Sequence, residues 1–542
     1  MKYNPLCMNT FTPSKRDPFA LFFVLFLMVM AFAVRLPAIL PVHFPISDGG
    51  MFYVMAQDLR SNSYRLPAET SYNHSAIPFV YPPLGIYLPP FLADLFGWPL
   101  LQVLQYLPLV ITTLTIPLFF AFASSLLHSP VKAVYAVTAY ALMPATFSWT
   151  IMGGGAPRAL GLLFAILTLH QAYLLYTRPR RRYWITTGIC AAGVSLSHPI
   201  AAWACIYSMV LLFLFFSRRK EGLLNSLLVV LIALGVASPW LVTVLGYHGF
   251  DPFLNAGQTG HQGWFSLVDL LRFDFSEELF FKAIGAISVV GLFASLKQKE
   301  QFLPVWLILN PLIQPRGLES FTVLPLAMAF SLGMVDVILP GLGKILPASA
   351  EDRPDQISQS LRLRFEKTIQ GALPKAFLAL LFWQMVVNAL LGAYDLTRGS
   401  LSPSDQEAMR WVAAHAPQSS RFLVLTGASH PLLDPTAEWF PALAQRQSLT
   451  TIQGQEWLIQ GAWTGRVEDL ISLQACLDYK IECLQDRAEG MAYTHLYVRK
   501  EPAGEINTPY TASNLLAESL SASPDYELVY TNPEISVFAF KP

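Results

Sequence analysis

Asp48 lies in the stretch Pro45-Ile46-Ser47-Asp48-Gly49-Gly50-Met51-Phe52-Tyr53, and no other acidic residue falls between Asp17 and Asp58. An apolar run of membrane length precedes it and ends at Arg35-Leu36-Pro37. At the rim of a bilayer a carboxylate is desolvated on one side and wet on the other, an environment in which it becomes a competent general base. The same residues also make a good helix start. Ser-Asp-Gly-Gly before Met-Phe-Tyr-Val-Met-Ala-Gln places Asp48 as an N-cap, and both roles are open at that position.

A base of this kind needs fixed positive charge nearby if the leaving group is a phosphate, and arginine offers a planar two-pronged donor. Arg158 follows Met152-Gly153-Gly154-Gly155-Ala156-Pro157, and Arg316 sits in Gln314-Pro315-Arg316-Gly317. Both fall at outer membrane edges, where the alternative is a side chain reaching up to the lipid headgroups. His198, in Ser197-His198-Pro199, is a third candidate for phosphate or metal, with helix capping as its other reading. Asp58, Glu69 and His74 share the polar segment that follows Asp48 and are candidates to assist it, although such residues are most often simply solvated. Trp240 and Trp264 read as interfacial aromatics. His261 and Asp269 flank Trp264 in an outer loop of about 30 residues, and no role attaches to them. Gly153-Gly154-Gly155 lacks the spacing of a dinucleotide or P-loop motif, and no Cys/His cluster has zinc spacing.

The elements that must position these residues are mostly membrane helices. Of 542 residues, 54% are hydrophobic and 13% charged, whereas a soluble chain carries about 25% charged residues. Net charge is zero, and no basic cluster is interleaved with aromatics, so nucleic acid is not an expected partner. Apolar runs bounded by charge, proline or glycine predict about 11 spans: 19–40, 100–127, 132–150, 158–176, 183–197, 199–217, 222–245, 279–296, 302–314, 318–339 and 375–394. Lys15-Arg16 ahead of the first run, with Ala31-Phe32-Ala33 inside it, also fits a signal peptide. The many later spans favour a retained anchor, and either way 41–97 is an outer loop. Within that loop the proline pairs Pro82-Pro83 and Pro89-Pro90 predict short helices lying in the interface.

Orientation follows from Lys and Arg. With the N-terminus in the cytoplasm, the inner segments hold 19 of these residues and the outer ones, up to residue 394, hold seven. The chain is therefore expected in the cell membrane as a multi-pass protein, with residues 395–542 extracytoplasmic. That part changes character. A helix over Asp405–Val412, capped by Ser404, precedes strands at 421–426, 494–498 and 534–540, which predicts a soluble α/β domain of about 150 residues. Cys476 and Cys483 would stand about 10 Å apart on one continuous helix, so a disulfide requires a helix break between them.

These stretches together resemble the integral-membrane glycosyltransferases of the GT-C fold, in particular the glycosyltransferase 39 (protein mannosyltransferase) and RgtA/B/C/D-like group of prokaryotes. Arg35-Leu36-Pro37, Asp48 with Tyr53, and Tyr81-Pro82-Pro83-Leu84 carry the likeness over most of 19–394. The outer extension, opening with a helix like Glu407–Ala416, is also similar to oligosaccharyltransferase catalytic subunits. Gly49 stands where the group commonly has a second acid, Tyr81 stands where it has a basic residue before Pro-Pro-Leu, and no Asp-x-Asp occurs in the first loop. Use of a divalent metal is therefore left open, and Tyr81 joins the residues that could assist.

The resemblance implies a GT-C-like membrane domain over 1–394 and a separate domain over 395–542. It also implies transfer of a hexosyl or pentosyl group from a polyprenyl-phosphate donor to a lipid, glycan or protein acceptor on the outer face. Asp48 would be the catalytic residue, with Arg158, Arg316 and His198 on the donor phosphate. Two other classes compete: a transporter or lipid flippase, and a non-catalytic envelope protein. A transporter usually shows repeats and charges at bilayer depth, and neither is visible in this chain.

Overall fold

The computed structural model describes residues 17–178, 180–259, 274–313, 318–345, 360–500 and 515–541. Arg316, His261, Trp264 and Asp269 lie outside them. In a bilayer every backbone N–H and C=O must be satisfied within the chain, so the apolar runs fold as helices. In chain order these are α1 (Pro18–Arg35), the short α2 (Gly50–Ser61) and α3 (Leu84–Phe96), then α4 (Leu100–Leu126), α5 (Pro130–Leu142), α6 (Gly155–Thr177), α7 (Arg181–Ser195), α8 (Pro199–Phe216) and α9 (Lys220–His248). Further helices cover Ala283–Lys297, Phe302–Ile313, Leu318–Leu332 and Ala372–Asp395. Each expected apolar run contains a helix, though α5, α7, Ala283–Lys297 and Phe302–Ile313 have only 12–15 residues. Among the described residues, seven helices are long and apolar enough to cross a membrane.

Two helix boundaries depart from expectation, each for a backbone reason. The expected span 132–150 stops at Leu142, because Met143 precedes Pro144 and is pushed into the extended region, with ψ at 123°. Conversely, α3 runs straight through Pro89 and Pro90. The missing N–H groups forfeit the bonds to the Gly85 and Ile86 carbonyls, but both prolines are buried, and packing offsets that loss.

Between α2 and α3 the chain forms a two-residue antiparallel ribbon, β1 (Glu69–Thr70) with β2 (Ile77–Pro78). The C-terminal part contains a mixed sheet in the order β4-β3-β5-β7-β6. Its strands are β3 (Arg421–Leu425), β4 (Gln447–Ser448), β5 (His495–Arg499), β6 (Tyr526–Thr531) and β7 (Ile535–Phe540). β3 pairs in parallel with β4 and β5, and β7 pairs antiparallel with β5 and β6. The helix ahead of β3 spans Pro403–His415, and its cap is Ser402, not Ser404. Pro403 presets the first helical turn, and the Ser402 hydroxyl accepts the Asp405 N–H at 3.0 Å. Asp405 is buried between the Arg499 guanidinium at 2.8 Å and the Tyr497 hydroxyl at 2.9 Å.

Cys476 and Cys483 are bridged. The helix Trp463–Gln474 tightens into a 3₁₀ turn, and Tyr479 and Lys480 are extended before the next helix starts at Ile481. That break brings the two Cα atoms to 5.6 Å.

The C-terminal sheet domain is docked on the segment between α1 and α4, and one apolar core runs through both. Phe44, Met51, Met55, Phe79 and Ile86 from that segment are packed with Met409, Phe422, Trp439 and Tyr497. Asn73 fixes the register polar-side, donating to the Ser448 carbonyl at 2.9 Å and accepting the Ser448 N–H at 2.7 Å.

Candidate active site

Asp48 belongs to a tight loop whose backbone visits the left-handed region twice, at Ser47 (φ 55°) and Gly49 (φ 135°). The loop interlocks with the turn that starts α6. Gly153 donates to the Ile46 carbonyl at 2.9 Å, and Gly154 donates to the Asp48 carbonyl at 3.1 Å. Only glycine fits at 153, since a Cβ there would stand 2.2 Å from the Asp48 carbonyl oxygen. The triple glycine thus has a steric role: it lets two backbones meet.

This approach delivers the Asp48 side chain to the N-terminus of α6. One carboxylate oxygen accepts the Gly154 N–H at 3.0 Å, and the other is ion-paired with Nη2 of Arg158. Arg158 uses its second arm on the Trp149 carbonyl, at 2.7 Å from Nη1. Both side chains of the pair keep about one-fifth of their surface accessible. Asp48 does not cap its own helix. The N-cap of α2 is Gly49, with no side-chain bond of its own. The Gly49 N–H is taken at 2.8 Å by Oε1 of Glu438, which comes from the C-terminal helix Pro435–Ala444.

Glu438 is only 3% exposed. Burial pushes its carboxyl up to about 7, against the opposing pull of the Gly49 N–H and the Arg158 cation. Its neighbour Trp439 donates Nε1–H to the Ser47 carbonyl at 2.9 Å, and Tyr72 donates to the Glu438 carbonyl at 2.6 Å. Neither Glu438 nor Trp439 was expected at the site, and nothing local in their surroundings marks them.

An aromatic wall stands beside the pair. Phe52 packs edge-on against Tyr81 at 4.9 Å, and Tyr81 lies 6.3 Å from the His198 ring and 6.2 Å from Trp457. Burial drives the Tyr81 phenol upward, so it stays protonated and can act only as a neutral hydroxyl. His198 caps α8, its Nδ1 accepting the Ala201 N–H at 3.3 Å. The Pro-Pro-Leu segment leans on the start of α6, since Gly85 abuts Pro157.

The remaining candidates are held elsewhere. Asp58 accepts from the Thr70 hydroxyl, the Ser71 hydroxyl and the Ser71 N–H at 2.6–2.9 Å, which ties α2 to the ribbon. Glu69 sits exposed on β1, and His74 Nε2 lies 3.4 Å from the Gln445 carbonyl. Arg35 is fully buried, bonded to the Ala141 carbonyl and the Thr146 hydroxyl with its guanidinium over the Phe147 ring. Among the described residues no three His, Cys, Asp or Glu side chains gather as a metal site.

No family model and no curated protein sequence matches the chain. Its three-dimensional arrangement does match solved structures. ArnT from Cupriavidus metallidurans, bound to undecaprenyl phosphate, superposes with a TM-score of 0.56 at 14% identity, covering 97% of this chain and 98% of ArnT. The chain has a GT-C fold. Within that fold, the archaeal oligosaccharyltransferase AglB from Archaeoglobus fulgidus, in complex with an inhibitory peptide and a dolichol-phosphate, matches at TM-score 0.53 and 12% identity, over 89% of this chain and 70% of AglB. The mycobacterial arabinofuranosyltransferase AftD matches at 0.54 and 14% identity over 98% of this chain, which spans 40% of AftD. The GT-C chain described here shares with all three an arrangement of helices rather than a sequence.

Proposed function

We propose that this GT-C chain is a membrane glycosyltransferase that moves a sugar from a polyprenyl-phosphate donor to an acceptor on the outer face of the membrane. The observation that carries the reading is the Asp48–Arg158 pair at the N-terminus of α6. It puts a carboxylate, a guanidinium and a helix N-terminus at one point, which is what a base beside a lipid phosphate requires. ArnT bound to undecaprenyl phosphate and AglB with dolichol-phosphate support a polyprenyl phosphate as donor.

Arg158 and Gly154 occupy both oxygens of Asp48, so the base is masked. A donor phosphate competes for the same two partners. As it takes the guanidinium and the Gly154 N–H, the carboxylate is released towards the acceptor. The acceptor hydroxyl or amine then attacks the anomeric carbon, its proton passes to Asp48, and the carbon–oxygen bond to phosphate breaks with its electron pair going to the phosphate. Arg158 meets that charge with Nη2, the arm that Asp48 vacates, while Nη1 stays on the Trp149 carbonyl. General-base assistance of this kind is worth about 10²–10⁴ in rate. Arg316 and His198 are assigned to the same phosphate, and the transferred group is a hexosyl or pentosyl unit.

The topology we assign has a cytoplasmic N-terminus, a membrane domain over 1–394 and an extracytoplasmic domain over 395–542. The Lys/Arg asymmetry supports it. So does the Cys476–Cys483 bridge, since disulfides persist in oxidising compartments. The test of function is donor turnover by the purified protein in lipid nanodiscs, offered radiolabelled polyprenyl-phosphate sugars with and without membrane extract as acceptor. Release of free polyprenyl phosphate is expected, and no release from any hexosyl or pentosyl donor would contradict the proposal.

A further inference from the structure

We infer that Glu438 is a positioning residue of the site: the C-terminal domain uses it to hold the Asp48 loop in the shape that aims Asp48 at α6. The inference builds on the reading of Asp48 as the base but stands on separate geometry.

A helix start leaves its first N–H groups without partners, and a nearby side chain normally covers them. Asp48 is the residue best placed by sequence to do so for α2, yet its carboxylate is turned away towards Gly154 and Arg158. Glu438 substitutes for it. Its carboxylate takes the Gly49 N–H, and the Gly50 and Met51 N–H groups also pull on it. The fit is close on every side. A Cβ on Gly50 would lie 2.6 Å from the Glu438 carbonyl oxygen, and one on Gly49 would lie 3.0 Å from the Trp439 ring. With Trp439 bonded to the Ser47 carbonyl, residues 438 and 439 touch the loop on both sides of Asp48. Removing the Glu438 carboxylate leaves the N-terminus of α2 uncovered, and the cap nearest in sequence is Asp48 itself. The loop then relaxes towards local capping, and the Asp48–Arg158 pair is lost.

The charged and titratable groups that bear on Glu438 are Arg158 from α6 and Tyr72 from the turn between β1 and β2. Burial holds the Glu438 carboxyl at about 7 rather than 4.5. The docked form therefore binds a proton more tightly than the open form. Docking is strongest below 4.5, weakens as pH rises towards 7, and is flat above that.

The experiment is hydrogen–deuterium exchange of residues 47–53 in the full-length protein in nanodiscs, corrected for intrinsic exchange, at pH 5 and 7.5. In the wild type, protection of this segment is expected to fall by about 10-fold or more from pH 5 to 7.5. Glu438→Gln keeps a neutral acceptor, so protection should be independent of pH and at least equal to wild type at pH 7.5. Glu438→Ala should expose the segment at both values while β3 and β5 stay protected. Where turnover is measurable, Glu438→Ala should lower kcat with little change in donor KM, and Glu438→Gln should restore it. An unchanged 47–53 segment in Glu438→Ala overturns the inference, as does a wild-type pH step surviving in Glu438→Gln, or an equal loosening of β3 and β5. A wild type without turnover would count against the catalytic reading alone, because the exchange result still decides the role of Glu438.

Discussion

The Asp48 carboxylate accepts the backbone N–H of Gly154 at 3.0 Å, 106 residues further along the chain, and so closes the N-terminus of α6 rather than that of α2. An acid held in trans at a long helix's N-terminus is stabilised by the unpaired N–H groups there. In the proposed mechanism the donor phosphate takes its place there, since a helix N-terminus favours anions generally. That exchange is the core of the proposed mechanism.

The meeting of the two backbones is the first thing to test. Gly153→Ala would put a Cβ 2.2 Å from the Asp48 carbonyl oxygen, a backbone atom rather than the end of a flexible side chain. We expect a loss of about 1–3 kcal/mol, read as a lower unfolding temperature, together with loss of turnover. Gly235→Ala on α9 meets nothing within 4 Å. It should leave both readouts unchanged or slightly raise stability.

Arg158 works through two arms, one on Asp48 and one on the Trp149 carbonyl. Lysine carries one compact charge and cannot serve both. Arg158→Lys is expected to raise the donor KM by about 10-fold, the size of one lost charge-assisted bond of about 1.5 kcal/mol. Steady-state donor turnover over a range of donor concentrations checks this. An unchanged KM would remove Arg158 from phosphate binding.

The Cys476–Cys483 bridge closes a short loop, with a sequence separation of seven. For a loop that short the chain-entropy model gives about 2 kcal/mol. Replacing both cysteines with serine should lower the unfolding temperature of the C-terminal domain accordingly, and reductant should do the same to the wild type. Trp439 and Glu438 lie outside that loop, so turnover near 25 °C should be retained.

Much of this architecture was legible in the sequence because hydropathy is a local signal. Each apolar run became a helix, and strands β3, β5 and β7 fell where apolar, β-branched residues cluster. What was missed depended on partners far away or on fine backbone chemistry. β6 has an exposed face and lacks the apolar run that marked its neighbours. The cap of the Pro403–His415 helix moved to Ser402 because Pro403 starts that helix. Asp58 has the type and place of an assisting acid, yet Thr70 and Ser71 occupy it. Asp48 with Arg158 could be proposed as partners from charge and outer-edge position. Glu438 could not, because its bond to Gly49 spans 389 residues and no periodicity encodes it.

Orientation is open to a direct check. Protease added to intact spheroplasts should cut within residues 395–542 and spare 341–374. Protection of the C-terminal domain with cleavage in 341–374 would reverse the assignment of every loop, and would place Asp48 on the cytoplasmic side.

The most direct test of the account is donor turnover by Asp48→Asn at matched protein level. Asparagine keeps an acceptor oxygen for Gly154 but presents an NH2 where Asp48 pairs with Arg158, so the Gly154 bond should survive while the ion pair is lost, and exchange at 47–53 is measured beside turnover to show that the loop holds. Its amide is too weak a base to take the acceptor's proton, so turnover should fall by about 10²-fold or more. If Asp48→Asn turns donor over at close to the wild-type rate, Asp48 is an anion cap for α6 and not the base.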